Sequence, residues 1–390
     1  MKEKKPNFFQ ILGVGIDSTK KEIKLAYVKK VREFPPEKEP EKYNEIRKAF
    51  ETLMDEDRRI SYTAYVKYGD EIDELDRVGE EALDNGDYER AIGQFKKVLL
   101  IEARLPVIKN KLALAFIYNK QFDDGISILE ELVEKYPKSA AYIGNLSYGF
   151  KEKGELDKAE ELCLEALSLS PFNEGNLSLL MSIYVGKKEL EKATEYLKNG
   201  IEVNKTEEFR EFSYYYEFLR ISSFKEHSEG VKEGIQLLRG ALPDNKEVKD
   251  FVLWKVSKLA DELYERCDFT DSSIILEELL LLDSDDMYNK KLYEETKMLS
   301  ALVKNLNVFL SDDRLSKFVK NPIYYYFTRF RMSHHEYEQA MQDTKVEIEK
   351  YKDSNSKKFK NELNILKGEY GNLYALKKWY YKRLESLLAG

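Results

Sequence analysis

Few side chains in this sequence have both the type and the spacing that chemistry needs. His334 and His335 stand beside Glu336 and Glu338, a set that could be placed around a metal ion. Adjacent helical residues point in different directions, however, whereas a zinc site draws its ligands from one face, a turn apart. No metal is expected there, and the third histidine, His227, stands alone. Cys163 and Cys267 lie far apart and fit neither a disulfide framework nor a metal pattern, so a reducing cytoplasm is the expected compartment. Cys163 reads as a small buried hydrophobe. Gly13-Val14-Gly15 lacks the preceding strand of a phosphate-cradling loop, and no nucleophile elbow or acid pair is visible. Tyr214-Tyr215-Tyr216 and Tyr324-Tyr325-Tyr326 could stack on nucleobases. In a chain with 27 tyrosines they read instead as helix-packing residues. The expectation is a protein without catalytic residues, metal or cofactor, and not an enzyme.

What remains is the chemistry of recognition. Lys20, Lys24, Lys29, Lys30 and Arg32 crowd one short segment, which ends at Phe34-Pro35-Pro36. Such a basic face steers association with acidic surfaces. The elements that must carry it can be read locally. A short helix over Phe8 to Leu12 stops at Gly13. Thr19, with Glu22 three residues on, forms a capping box that opens a second helix, whose other face holds Ile23, Ala26, Tyr27 and Val31. Pro35 and Pro36 end it, because the residue before a proline is driven out of the α region. A third helix lines up Tyr43, Ile46, Ala49, Phe50 and Leu53 on one stripe, and a shorter fourth begins near Asp55.

Four features, Phe9-x-Ile11-Leu12-Gly13-Val14, the capped KKEIKLAY helix, the IRKAFETL helix and the closing Arg59-x-x-Tyr62, together resemble a DnaJ-type J domain over about the first 65 residues. The resemblance implies a small helical module that engages a DnaK-type chaperone through a His-Pro-Asp tripeptide between its second and third helices. Here Phe34 stands in place of the histidine and Pro36 in place of the aspartate, and only Pro35 is kept. Phenylalanine neither donates nor accepts a hydrogen bond, and a proline supplies neither a carboxylate nor an N–H. The module is therefore expected to lack the usual means of stimulating a DnaK-type ATPase. Its basic helix and its Phe34-Pro35-Pro36 loop remain a candidate docking surface.

Beyond residue 70 the chain repeats every 34 residues, in units starting near 72, 106, 140 and 174. The twentieth position holds Ala91, Gly125, Ala159 and Ala193, small enough for helices to close on one another. The eleventh (Ala82, Phe116, Phe150, Tyr184) and twenty-fourth (Phe95, Leu129, Cys163, Leu197) hold mostly larger apolar residues that fill the seam. The pattern resembles the tetratricopeptide repeat (TPR). That resemblance implies stacked helix pairs, since no single unit can bury its apolar face alone. The expected fold class is all-α, a small J-like helical domain followed by a TPR α-solenoid. The J-like module takes 1–70 and four TPR units take 71–207; an irregular helix pair and one further TPR-like unit fill 208–286. Degenerate helical repeats and a C-terminal cap fill 287–390, the cap being one long basic helix from Lys357.

TPR grooves bind peptides, so a protein or peptide is the expected partner, with a DnaK-type chaperone implied by the J-like module. The groove positions carry Asp73, Asp76 and Glu80, then Asn110, Leu114, Ile117 and Tyr118, then Asn145 and Tyr148. An acidic lip over an apolar floor would suit an apolar or basic segment. The carboxylate clamp of one TPR subclass is not expected. Asp76 and Glu80 have the wrong sign, and one unit later only Asn145 fits while Asn110, Leu114, Gly175 and Leu179 do not.

Bulk composition is consistent with this. A hydrophobic content of 42% with 35% charged residues argues against disorder, and 9 prolines and 19 glycines leave few helix breakers. The net charge of −8 has its acidic surplus beyond residue 70, and without a basic stripe no nucleic acid is expected as partner. No stretch approaches the roughly 18 apolar residues that span a membrane, so no membrane association is expected. The basic start with its short apolar run does not read as a signal peptide. The leading expectation is a non-enzymatic, co-chaperone-like adaptor. Its rival is a scaffold unconnected with chaperones, in which the J-like module serves only as a cap on the array.

Overall fold

Two capping boxes open the chain. The Asn7 N–H donates to Gln10 Oε1 at 2.8 Å while the Asn7 side chain accepts from the Gln10 N–H, and Thr19 and Glu22 repeat the arrangement at 2.7 Å. They start α1 (Phe8–Leu12) and α2 (Lys20–Glu33). The first stops at Gly13, whose φ of 71° is open to a residue without Cβ. The computed structural model describes residues 6–206, 208–225, 228–328 and 334–389, and every regular element among them is helical. The chain divides into two compact units, Met1–Lys187 and Lys188–Gly390.

In the first unit, α1, α2 and α3 (Pro40–Met54) enclose Phe9, Leu12, Ile23, Ile46, Ala49 and Leu53. The closing motif is a clasp. Arg59 Nη2 donates to the carbonyls of Ile16 at 2.8 Å and Ser18 at 2.5 Å. Tyr62 Oη accepts from the Phe8 N–H at 2.8 Å, and its ring stacks on Phe8 at 4.5 Å.

The short fourth helix expected from Asp55 closes at Tyr68, where the backbone kinks (φ −132°, ψ 19°). A second helical segment follows the kink directly, and the two together are labelled α4 (Glu56–Asp84). Gly69 follows the kink, and Ala64 and Ile72, on either side of Tyr68, are buried in one shared core with Phe95 and Leu105. The chain continues through α5 (Tyr88–Ile101), α6 (Pro106–Tyr118), α7 (Phe122–Lys135), α8 (Ala140–Lys153), α9 (Leu156–Leu169) and α10 (Glu174–Lys187), each packed on the next. Small residues make that packing possible. A Cβ on Gly125 would lie 2.7 Å from the Ala113 carbonyl oxygen, and Ala91 and Ala159 are fully buried. Lys135 at the end of α7 reaches Asp57 in the first turn of α4 at 2.5 Å, tying the J-like module to the second helix pair.

The second unit holds α11 (Leu190–Val203), α12 (Phe212–Ser222), α13 (Glu229–Ala241), α14 (Lys246–Glu265), α15 (Phe269–Leu282) and α16 (Met287–Ser311). It continues with α17 (Lys317–Thr328), α18 (His334–Glu369), α19 (Gly371–Leu376) and α20 (Lys378–Ala389). Tyr214 and Tyr215 are buried, and a Cβ on Gly200 would meet the Tyr214 ring at 2.2 Å, so the first tyrosine triplet is packing. The single terminal helix expected from Lys357 is instead broken twice, at Tyr370 (φ −123°) and Lys377 (φ −122°). Tyr370 leaves the helix because its hydroxyl donates to Asp312 at 2.9 Å and its ring meets Phe309 at 5.2 Å. Leu299, Phe309, Ile323, Phe359, Leu366 and Tyr381 form the core of this region.

Candidate partner-binding surfaces

The basic residues of α2 face outward because Ile23 is buried and Tyr27 is drawn inward, stacked on Phe50 at 4.0 Å. They are not equivalent. Lys20 pairs with Glu56 at 3.6 Å and Lys30 with Glu33 at 3.1 Å. Lys24, Lys29 and Arg32 are exposed and face no acid among the described residues. Between these cations lie Leu25, 64% exposed, and Val28, 41% exposed. Sequence reasoning missed this apolar seam. The available signal was its i, i+3 spacing, off the buried stripe and among lysines.

The loop behaves differently from what was expected of it. Phe34 caps the end of α2 and turns inward, half-buried against the module's own core. Lys42 Nζ stands 4.8 Å and Lys30 Nζ 5.3 Å from its ring centroid, each attracted to the ring's negative face. This corrects the expectation that Phe34 is offered to a partner: an aromatic side chain at this corner loses water contact by folding back on α2 and α3. The Pro35 carbonyl accepts from the N–H groups of Lys38 and Glu39, both at 3.0 Å, and Pro36 is exposed.

The groove residues also rearrange the expected charge. Lys111 Nζ lies 2.8 Å from both Asp76 oxygens and 2.6 Å from Glu80 Oε1. Burial disfavours the ammonium form, but the hydrogen bonds to Asp76 and Glu80 outweigh it and raise the Lys111 pKa. The acidic lip is thus largely neutralised from within, and Asp73 is left as its exposed carboxylate. Lys111 was missed because its partner lies 35 residues away, one position past the repeat register.

Asn145 donates its amide to Asn110 Oδ1 at 2.8 Å, so both asparagines are engaged between helix pairs. Ile117 is a second correction. It is 2% exposed and fills the space beside Gly125 and Gly149, so it packs the helices and does not form a groove floor. Leu114 is half-buried, and Tyr118 is 40% exposed. The Tyr118 ring sits between Tyr88 at 5.6 Å and Tyr148 at 5.9 Å. Burial, and then the Glu152 charge, push the Tyr148 hydroxyl up to about 12, so it stays a protonated donor at neutral pH.

The remaining chemical candidates are quiet. Cys163 is buried, its thiol donates to the Asn176 carbonyl, and burial pushes its pKa up to about 12, which leaves it unreactive. His335 is exposed, while His227 and the side chain of His334 lie outside the described residues. Among the described residues no group of three or more His, Cys, Asp or Glu is placed to hold a metal ion, and no helix is long and apolar enough to cross a membrane.

Comparison with known proteins follows the same division. The DnaJ domain model matches residues 7–63, and the model for the N-terminal TPR repeats region of Psidin matches residues 81–216. Chaperone protein DnaJ of Hydrogenobacter thermophilus is 43% identical over 70 residues, 17% of this chain and 20% of that protein. Chaperone protein DnaJ 1 of Aquifex aeolicus is 42% identical over 69 residues, 16% and 19% respectively. The chain therefore spans about a fifth of the length of the curated relatives it matches. Among solved structures, MamA from Desulfovibrio magneticus covers 48% of this chain at 21% identity with a TM-score of 0.31 and matches over 97% of its own length. Pseudomonas aeruginosa pilF covers 59% at 17% identity and 0.35, matching over 98% of its own length. A DnaJ domain and TPR repeats, in that order, are what the chain resembles, as read from the sequence: a J-like module whose His-Pro-Asp is replaced by Phe34-Pro35-Pro36, followed by tetratricopeptide repeats.

Proposed function

We propose that the chain is a non-enzymatic, co-chaperone-like adaptor of a reducing, cytoplasmic compartment. Its repeats hold a polypeptide partner, and its J-like module docks on a DnaK-type chaperone through α2 without stimulating ATP hydrolysis in the usual way. The observation that carries this reading is Phe34. Its ring is engaged by the module's own core and by two lysines, so the loop offers a chaperone no polar side chain at this position. Lys24, Lys29 and Arg32, with Leu25 and Val28 between them, supply a basic and apolar face that does not depend on the loop.

Reversing Lys24 and Arg32 to glutamate should abolish capture of a DnaK-type chaperone on a biosensor surface while leaving the helical circular dichroism unchanged. If the unaltered chain captures no chaperone, docking is lost and the rival stands, in which the module is a structural cap. The core that Ala64 shares with Ile72 and Phe95 and the Asp57–Lys135 pair favour that rival, since they fix the module on the repeats.

A further inference from the structure

We infer that the second unit carries a binding site for a lysine or arginine side chain of a partner polypeptide, in a cleft of about 400 Å³ between α14 and α16. Its walls are Asp250, Leu253 and Trp254 of α14, Asp283 and Asp286 of the turn after α15, and Tyr288 of α16. A cleft of this size suits one or two side chains of an extended segment, not a folded surface.

Two aromatic rings are held here without being covered. Trp254 is 56% exposed and Tyr288 59% exposed. Tyr288 is fixed by its hydroxyl, which donates to Asp261 at 2.7 Å. Trp254 is braced by Phe251 at 6.2 Å, which itself meets Phe212 edge-on at 5.8 Å. Lys258 Nζ already stands 5.9 Å from the Tyr288 ring centroid, so the open face is that of the Trp254 indole, which attracts cations through its ring quadrupole.

The charges point to the same occupant. Asp283 accepts the Asp285 N–H at 3.1 Å, and Asp286 accepts the Asn289 N–H at 2.9 Å and the Asn289 amide at 2.8 Å. These bonds orient the carboxylates without neutralising them. Asp250, Asp283 and Asp286 form no ion pair among the described residues. The lysine that lines the cleft, Lys258, is already held by Asp261 at 3.0 Å. Oriented carboxylates beside aromatic faces suit a guanidinium or ammonium group and repel an anion. The assignment rests on the reading that the repeats hold a polypeptide, and it gives that polypeptide a basic segment.

The test is fluorescence anisotropy of the full chain with a short fluorescein-labelled peptide alternating arginine with leucine. Binding should saturate and weaken about tenfold or more in the double variant Asp250→Asn, Asp283→Asn, and likewise in Trp254→Ala. It should be unchanged in Leu100→Ala, an exposed position of the first unit outside the groove, and absent when glutamate replaces arginine in the peptide. Asp250, Asp283 and Trp254 are exposed, so the helical circular dichroism of these variants should not change. Affinity indifferent to the double variant overturns the site, as does equal weakening in Leu100→Ala. Failure to bind, with wild-type dimers in sedimentation that the double variant abolishes, overturns it by making a second copy the occupant. A chain that ignores the peptide yet captures a DnaK-type chaperone also overturns this site, while leaving the adaptor reading in place.

Discussion

Phe34 sits where a polar residue would face a chaperone, and its ring is instead half-buried under the amines of Lys30 and Lys42. Removing it tests whether that corner is structural. Truncating a fully buried phenylalanine costs about 3–5 kcal/mol, so a half-buried one should cost roughly 1–2 kcal/mol, the cation–π contacts included. Phe34→Ala is therefore expected to speed amide exchange in α2 and α3 by roughly 5- to 30-fold, with the repeat helices unaffected. Exchange that does not change would mean the ring is free for a partner after all. Lys111 shows the same principle in the groove: one side chain, bound to Asp76 and Glu80, decides whether a set of acids presents a negative surface.

At the scale of elements, helix approach is set by which glycines have neighbours. In Gly125→Ala the new methyl carbon would stand 2.7 Å from a backbone carbonyl oxygen, which cannot swing aside. Overpacking costs about 1–3 kcal/mol against a helix-propensity gain of about 1 kcal/mol, so net destabilisation is expected. Gly93 lies inside α5 with nothing within 4 Å of its would-be methyl group, and Gly93→Ala should stabilise by about 0.5–1 kcal/mol. Urea midpoints moving in opposite directions would bear this out.

The pair that holds the J-like module on the repeats is pH-sensitive in a defined sense. Hydrogen bonding to Lys135 lowers the Asp57 pKa below its ordinary 3.8. A depressed carboxylate contributes stability that is present above its unfolded value and is lost as pH falls through its folded one. The stability difference between the wild type and Asp57→Asn should thus be full at pH 6 and vanish below the Asp57 pKa. With side chains 30% and 50% exposed, the pair is worth under about 1 kcal/mol, and less in high salt. Amide exchange at the start of α4, followed against pH, would measure it.

Across the whole molecule, what could be read beforehand was what neighbouring residues determine. The capping boxes, the α3 stripe and the small residues at Ala91, Gly125 and Ala159 act within one or two helices, and so did the signals that revealed them. What escaped depends on distant partners. The two segments of α4 pack together across the Tyr68 kink because Ala64 and Ile72 share a core with Phe95 and Leu105. The last helix breaks because Tyr370 finds Asp312, 58 residues earlier. The acidic lip was misread because Lys111 comes from the next repeat, and Phe34 because its half-burial follows from the packing of α2 on α3.

The central claim is an adaptor that docks on a chaperone without driving its ATPase. Steady-state ATP hydrolysis by a DnaK-type chaperone, measured with and without this chain, addresses it most directly. The account predicts no rise in rate from the unaltered chain despite binding, and a rise once Phe34→His and Pro36→Asp restore the missing polar groups on the intact α2 face. Strong stimulation by the unaltered chain would contradict it.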